Sequence, residues 1–599
     1  MDDLLLLRNY EPIARFTKGE MFFPIAVDGY LKECSLWQTN TRGEDQLLVA
    51  HGRLNRQHLL EFMEIPAGHT QHLRLVAKPL QGLDYQRWRL DPQHERFVAP
   101  GRLVRVPLLF RLLDSLLNLS LIIRGQVPGG LAAAADMKNR KISAHDPRRV
   151  YYGRVTRSGG WIALQYLFFY AMNNWRSGFF GVNDHEADWE QIFVFLTDPD
   201  KGEPQPQWVA YASHDFKGDD LRRRWDDPLL LREGNHPVIF AGAGSHASYF
   251  EPGEYLMGVE PEFLYPLKAG LNWLRKFWNE TLGMGSSNNL QDSHATLSAP
   301  FIDYARGDGL SIGPGQEEAW EPELITEADQ WAHDYRGLWG LDTRDPIGGE
   351  RAPAGPKYNR DGSIRQSWYD PIGWAGLDKV FPSHLLPLRT KEQIAALGQE
   401  LADLDSEIRK KRADLRRQAL EVEALKTANS VRALHDKEIL RLDTAQAALQ
   451  ALQAQRGELV ETRLALRSYA RRVDRGDLGP PDAHLHHIHH PEPSLPPKHR
   501  VVEIWAAFSG ALIILGLVLL LIFRPQNWLY WVVGLAAGLG AVEALTRNNL
   551  VNYLLNIIIV LALIASIILL IEFWLWFLIA GLLLLALYMI RGNLRELRR

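Results

Sequence analysis

Hydrophobic and polar positions follow four successive patterns along the chain. Over residues 1–390, short apolar runs alternate with clusters of Gly, Asn, Asp and Pro. WIALQYLFFY (161–170), residues 188–196, WVAYASH (208–214) and HPVIFAG (236–242) read as β-strands. Such spacing of strands and turns predicts a β-rich sandwich of the α+β type. Helix is expected around Pro107–Arg124 and around Leu271–Leu282. The first is apolar but carries Arg111, Asp114 and Arg124, so it reads as a packing helix rather than a membrane span.

Residues 391–475 lack Pro and Trp and repeat apolar positions every three or four residues. Leu397, Leu401, Leu404, Ile408, Leu415, Val422 and Leu425 form one seam. Leu442, Ala445, Leu449, Leu452, Leu459 and Leu466 form a second, after a break at Thr427–Ser430. Heptad seams predict an α-helical coiled coil, either an antiparallel hairpin or a homo-oligomer between protomers.

Residues 476–500 form a Pro- and His-rich linker, and 501–591 are overwhelmingly apolar. Val501–Phe523 meets the length of about 20 apolar residues that a bilayer requires. Trp528–Leu545 is a second span, and its Gly and Ala suit close helix packing. Leu550–Ile590 would be about 60 Å long as one helix. Two spans turning near Glu572, Phe573 and Trp574 fit better, which gives a bundle of four transmembrane helices. Lys498, Arg500, Arg547 and the basic tail 592–599 lie on one side, with Arg524 opposite. The positive-inside rule then predicts a multi-pass protein whose large N-terminal region and C-terminus are cytosolic.

Composition adds exclusions. The formal net charge is -4, with no concentrated basic patch, so no nucleic-acid partner is expected. One cysteine, Cys34, permits no intramolecular disulfide and fits a reducing compartment. The acidic start MDDLLLLRNYEP does not read as a secretory signal. In the linker, His484, His486, His487, His489 and His490 could bind a transition metal or answer to mild acid.

The chemistry concentrates in GVNDHEADWEQIFVF, residues 181–195. Asp184, His185, Glu186, Asp188 and Glu190 precede and enter an apolar strand, and buried carboxylates need a compensating partner. Strand alternation places Asp188 and Glu190 on one face and Trp189 on the other. His185 can fold back over the acidic face. Two carboxylates and an imidazole suit a divalent metal ion, with Ca, Mg, Mn and Zn all open. His214 and His246 end or follow candidate strands and could complete the shell or act as catalytic acid or base.

NDHEADWEQIFVF, SHDFKG and NHPVIFAGAGSHASYFEPG, in that order and spacing, resemble the vacuolar protein sorting-associated protein 62 family. GEMFFPIAVDGYL (19–31) and YRGLWG (335–340) extend that resemblance over about residues 10–385. HEADWE also resembles the metal-binding heptapeptide of necrosis- and ethylene-inducing proteins. Those are sandwich proteins in which a His, an Asp and a Glu hold a divalent cation. That resemblance implies metal ligation by His185, Asp188 and Glu190; the chain differs in having Glu186 where the heptapeptide has Arg. The expected function is a membrane-anchored binding or scaffold module that takes a polar ligand, a lipid head group or glycan, through the cation. The alternative is a metal-dependent hydrolase that activates water.

Overall fold

The structure is a computed structural model. It describes residues 2–92, 97, 106, 108, 111–112, 115, 129–175, 184–199, 202–213, 221–259, 299–341, 352–426, 432–485, 490–492, 500–523, 526, 528–547 and 549–597. The helix expected at Leu271–Leu282 lies outside the described residues, as does His214.

In chain order the described strands are β1 (Ile13–Arg15), β2 (Ser35–Thr39), β3 (Asp45–Val49), β4 (Thr70–Arg74), β5 (Tyr151–Ser158) and β6 (Trp161–Asn173). They continue with β7 (His185–Thr197), β8 (Pro206–Tyr211), β9 (Arg222–Arg224), β10 (Arg232–Glu233) and β11 (His236–Ala241). The last are β12 (Ser248–Tyr249), β13 (Gly253–Val259), β14 (Ala299–Ala305), β15 (Ser311–Ile312) and β16 (Glu323–Leu324). A six-stranded sheet runs β16-β5-β6-β7-β8-β9, and a second runs β10-β11-β1-β15 with β12 beside β11. The four strands read from sequence are β6, β7, β8 and β11.

Every residue of β6 is buried. Its unbroken apolar run is the signature of a strand covered on both faces. On one face Tyr166, Phe168 and Tyr170, with Ile192, Val194 and Leu196 of β7, share a core with Ala14, Ile239, Ala241 and Ile312 of the second sheet. These residues make the two sheets a sandwich. On the other face Leu167, Phe169, Ala171 and Trp189 pack with the helix Gly130–His145 and with Trp331 and Trp339. Trp189 stands 4.9 Å from Phe169 and 5.4 Å from Trp339, ring centre to ring centre.

The helices Leu386–Lys426 and Arg432–Val473 pack as an antiparallel hairpin within one chain. Arg456 bonds Asp405 at 2.6 Å, and Arg463 lies against Gly398, which sets the direction. Leu401, Leu404 and Ile408 are buried in the first helix. The linker is laid on the sandwich. Arg224 Nη1 donates to the Gly479 carbonyl at 2.9 Å, His490 meets Glu251 at 2.7 Å, and Glu492 N donates to the Glu254 carbonyl at 2.7 Å. His484 is held by the Arg222 carbonyl and the edge of Trp208, and burial lowers its pKa. His486, His487 and His489 lie outside the described residues.

Four helices follow: Arg500–Phe523, Trp528–Thr546, Leu550–Glu572 and Trp574–Leu597. Among the described residues, two segments are long and apolar enough to cross a membrane, Val501–Leu520 and Trp574–Arg595. Tyr530–Thr546 is a shorter apolar helix. Two candidate spans, rather than the four expected, therefore meet the length and apolarity test.

Trp189→Ala is expected to cost roughly 3–5 kcal/mol, as truncation of a core aromatic does. Thermal melting of the purified protein would show it as a lowered midpoint.

Candidate functional site

Strand β7 enters the sandwich through an irregularity. Ala187 has φ 59°, a left-handed conformation rare for a residue with a Cβ. The β6–β7 ladder passes there from the Tyr170–Asp188 pair to Met172–Glu186. Strict alternation would place Glu186 and Asp188 on one face. Instead Glu186 accepts from the backbone N–H groups of Leu75 at 3.0 Å and Val76 at 2.8 Å, on the Trp189 side. Gly340 packs so closely on Glu186 that a Cβ there would collide with its carbonyl. Burial raises the Glu186 carboxyl to about 7, although those N–H bonds pull the other way.

Asp188 faces Tyr170 and the second sheet. Its Oδ2 accepts from His246 Nδ1 at 2.8 Å and from Asn173 Nδ2 at 3.3 Å. His246 lies in the turn between β11 and β12, itself at φ 59°. That turn is tight: His246 N donates to the Gly242 carbonyl at 2.9 Å, and Gly244 takes φ 78° against Asn174. The His246 ring stacks on Tyr170 at 3.8 Å and 5°. Behind it Ser245 and Tyr249 donate to Asp303 Oδ2 at 2.6 and 2.8 Å. Glu20 Oε1 is 3.9 Å from His246 Nε2, and it already accepts from Met21 N and Phe22 N. Burial, then Glu190, Asp188 and Glu20 in turn, push the Tyr170 phenol well above its usual range.

His185 is also buried, and its Nδ1 is 2.7 Å from the Ala187 carbonyl. A carbonyl only accepts, so His185 Nδ1 carries the proton. The Asp188 carboxylate assigns the Nδ1 proton of His246 by the same logic. Among the described residues neither Nε2 has a hydrogen-bond partner.

The geometry differs from the expected trio of His185, Asp188 and Glu190. Among the described residues no three His, Cys, Asp or Glu side chains converge as metal ligands would. Asp188 is engaged by His246 and Asn173, and His185 by its own strand. Glu190 is the one partly exposed side chain of β7. His246 reaches Asp188, whereas His214 lies outside the described residues. Glu20, Tyr170 and Asn173 join the cluster from positions that no local spacing connects to HEADWE.

A family model of necrosis inducing protein (NPP1) matches residues 123–233. That stretch carries His185, Asp188 and Glu190 but stops before His246. The chain is similar to three solved structures. Non-toxic HaNLP3 protein is 22% identical, over 16% of this chain and 40% of that one, with TM-score 0.13. NLPPya in complex with mannosamine is 21% identical, over 18% and 46%, with TM-score 0.14. Necrosis and Ethylene inducing Protein 2, from the causal agent of cocoa's Witches Broom disease, is 23% identical, over 17% and 44%, with TM-score 0.14. The chain spans less than half the length of each. No curated protein matches it.

The raised Glu186 carboxyl fixes the sign of a pH effect. Between its ordinary 4.5 and about 7 the folded state binds the proton more tightly than the unfolded chain. Its stabilising contribution, on the order of 3 kcal/mol, is full below the lower value and is lost as pH rises through the upper one. Melting with chelator present should show a midpoint that falls from pH 5 to pH 8. Glu186→Ala should flatten that slope.

Proposed function

We propose that the sandwich domain is a cation-dependent binding module for a polar ligand, a lipid head group or a glycan. The observation that carries this reading is that two buried imidazoles, His185 and His246, have Nε2 atoms without a hydrogen-bond partner among the described residues. A carboxylate or carbonyl on Nδ1 is the arrangement that prepares a histidine for a metal. His185 and His246 would hold the ion, Asp188 would orient His246, and Glu190 would stand at the solvent side. A bound divalent ion would offset the carboxylate repulsion and attract an oxygen of the ligand. His246 is buried and stacked on Tyr170, which favours a holding role over proton transfer. The resemblance of residues 10–385 to the vacuolar protein sorting-associated protein 62 family enters this reading as a proposed relationship of fold alone.

For the C-terminal region we propose four spans with both termini cytosolic. The support is the placement of Lys498, Arg500, Arg547 and Arg595 on one side. Reporters fused before Met1 and after Arg599 should both read cytosol; a C-terminal reporter on the far side would overturn the four-span count.

Calorimetry of the purified protein with Mn²⁺, Zn²⁺, Ca²⁺ and Mg²⁺ tests the cation. At least one should bind and raise the melting midpoint, because a ligand specific to the native state stabilises it. His246→Ala should abolish that rise. Asp188→Asn should weaken binding roughly 10–100-fold, as loss of an orienting partner does. Unchanged melting with every ion and with chelator would overturn the reading.

A further inference from the structure

Glu543, near the end of the apolar helix Trp528–Thr546, is 9% exposed. Its Oε2 accepts from Arg111 at 2.5 Å and from Trp505 Nε1 at 2.6 Å, and its Oε1 accepts from Arg547 at 2.6 Å. Arg111 is 5% exposed and also donates to Ser509 Oγ at 2.7 Å. Arg547 Nη2 reaches the Val106 carbonyl at 3.2 Å. Gly510 faces the same segment: a Cβ there would stand 2.9 Å from Ser115 Oγ.

Trp505, Ser509, Gly510, Glu543 and Arg547 belong to the membrane-type helices or their ends. Val106, Arg111 and Ser115 come from the N-terminal region, far away in sequence. A buried carboxylate is costly unless it is paired and hydrogen-bonded, and more so among apolar helices. Removing one partner of such a pair leaves the other charge exposed to that cost. The helices give Glu543 one cation, Arg547, and Arg111 brings a second, itself buried, onto Oε2, so that the pair ties the two parts of the chain together. Gly510 lets the incoming backbone approach, as small residues do between packed helices. The cluster lies at the Arg500 and Arg547 ends of the two helices, the side from which the linker arrives.

We propose that the segment holding Arg111 docks on the face formed by helices Arg500–Phe523 and Trp528–Thr546, with the Arg111–Glu543 pair as its key. The sandwich domain thereby has a second attachment to the membrane helices besides the linker. Two attachments fix the stand-off and orientation of the domain at the bilayer, which a single attachment would not.

The test uses the full-length chain with a protease site inserted between Pro497 and Lys498. Ser115→Cys with Gly510→Cys should form a disulfide, so that the cut halves run as one species until reduced. Without those cysteines, the cut halves of the parent should stay together in mild detergent. Arg111→Glu should release them, and Arg111→Lys should retain them. Failure of the cysteine pair to cross-link, or retention of the halves by Arg111→Glu as in the parent, would overturn the proposal.

Discussion

The hydrogen bond from His246 Nδ1 to Asp188 Oδ2 joins the two sheets of the sandwich at one edge. Asp188 belongs to the six-stranded sheet, and His246 to the turn that caps the other. Both residues reach the bond through left-handed backbone, at Ala187 next to Asp188 and at His246 itself. Each such position costs roughly 1–3 kcal/mol and persists only where the surroundings over-determine it. Here the surroundings are the Tyr170 stack, the Gly242–His246 turn and the Asp303 anchor behind it. The same bond orients the His246 ring against Tyr170, so one contact ties sheet packing to local strain.

Much of the sandwich was legible because its signal is local. The run at 161–170 and the alternation after 188 are properties of neighbouring residues, and they became β6 and β7. The pairing of Asp188 and Glu190 on the Tyr170 side followed from period two. Two things were not legible. Ala187 gives no hint in its identity that it will take positive φ, so Glu186 was free to be read with the other acids. It turns to the opposite side, to the N–H groups of Leu75 and Val76. The partners of Asp188 come from residues 173 and 246, and only the fold brings them together. Among the described residues Asp188 is consequently held by His246 and Asn173, and no preformed trio of ligands is found.

In the C-terminal half, periodicity carried the helices but not all their company. The seams of 391–475 left an antiparallel hairpin and a coiled coil between protomers both open, and the Asp405–Arg456 pair holds the two helices antiparallel within one chain. The apolar character of 501–591 predicted helices, of which two meet the length and apolarity test. Arg111 looked like an exception in an apolar stretch. Its partner is Glu543, another exception in another apolar stretch, and no local pattern could have paired them. Isolated charges in apolar segments carried information that became readable only together.

The tautomer of His246 tests the central claim most directly. Nitrogen-15 spectra of histidine-labelled protein at neutral pH, assigned by difference against His246→Gln, report the protonation of each ring nitrogen. The account predicts a neutral ring with Nδ1 protonated and Nε2 bare, and an Nε2 resonance that moves when a divalent ion binds. A doubly protonated ring held between Asp188 and Glu20, indifferent to every divalent ion, would contradict it.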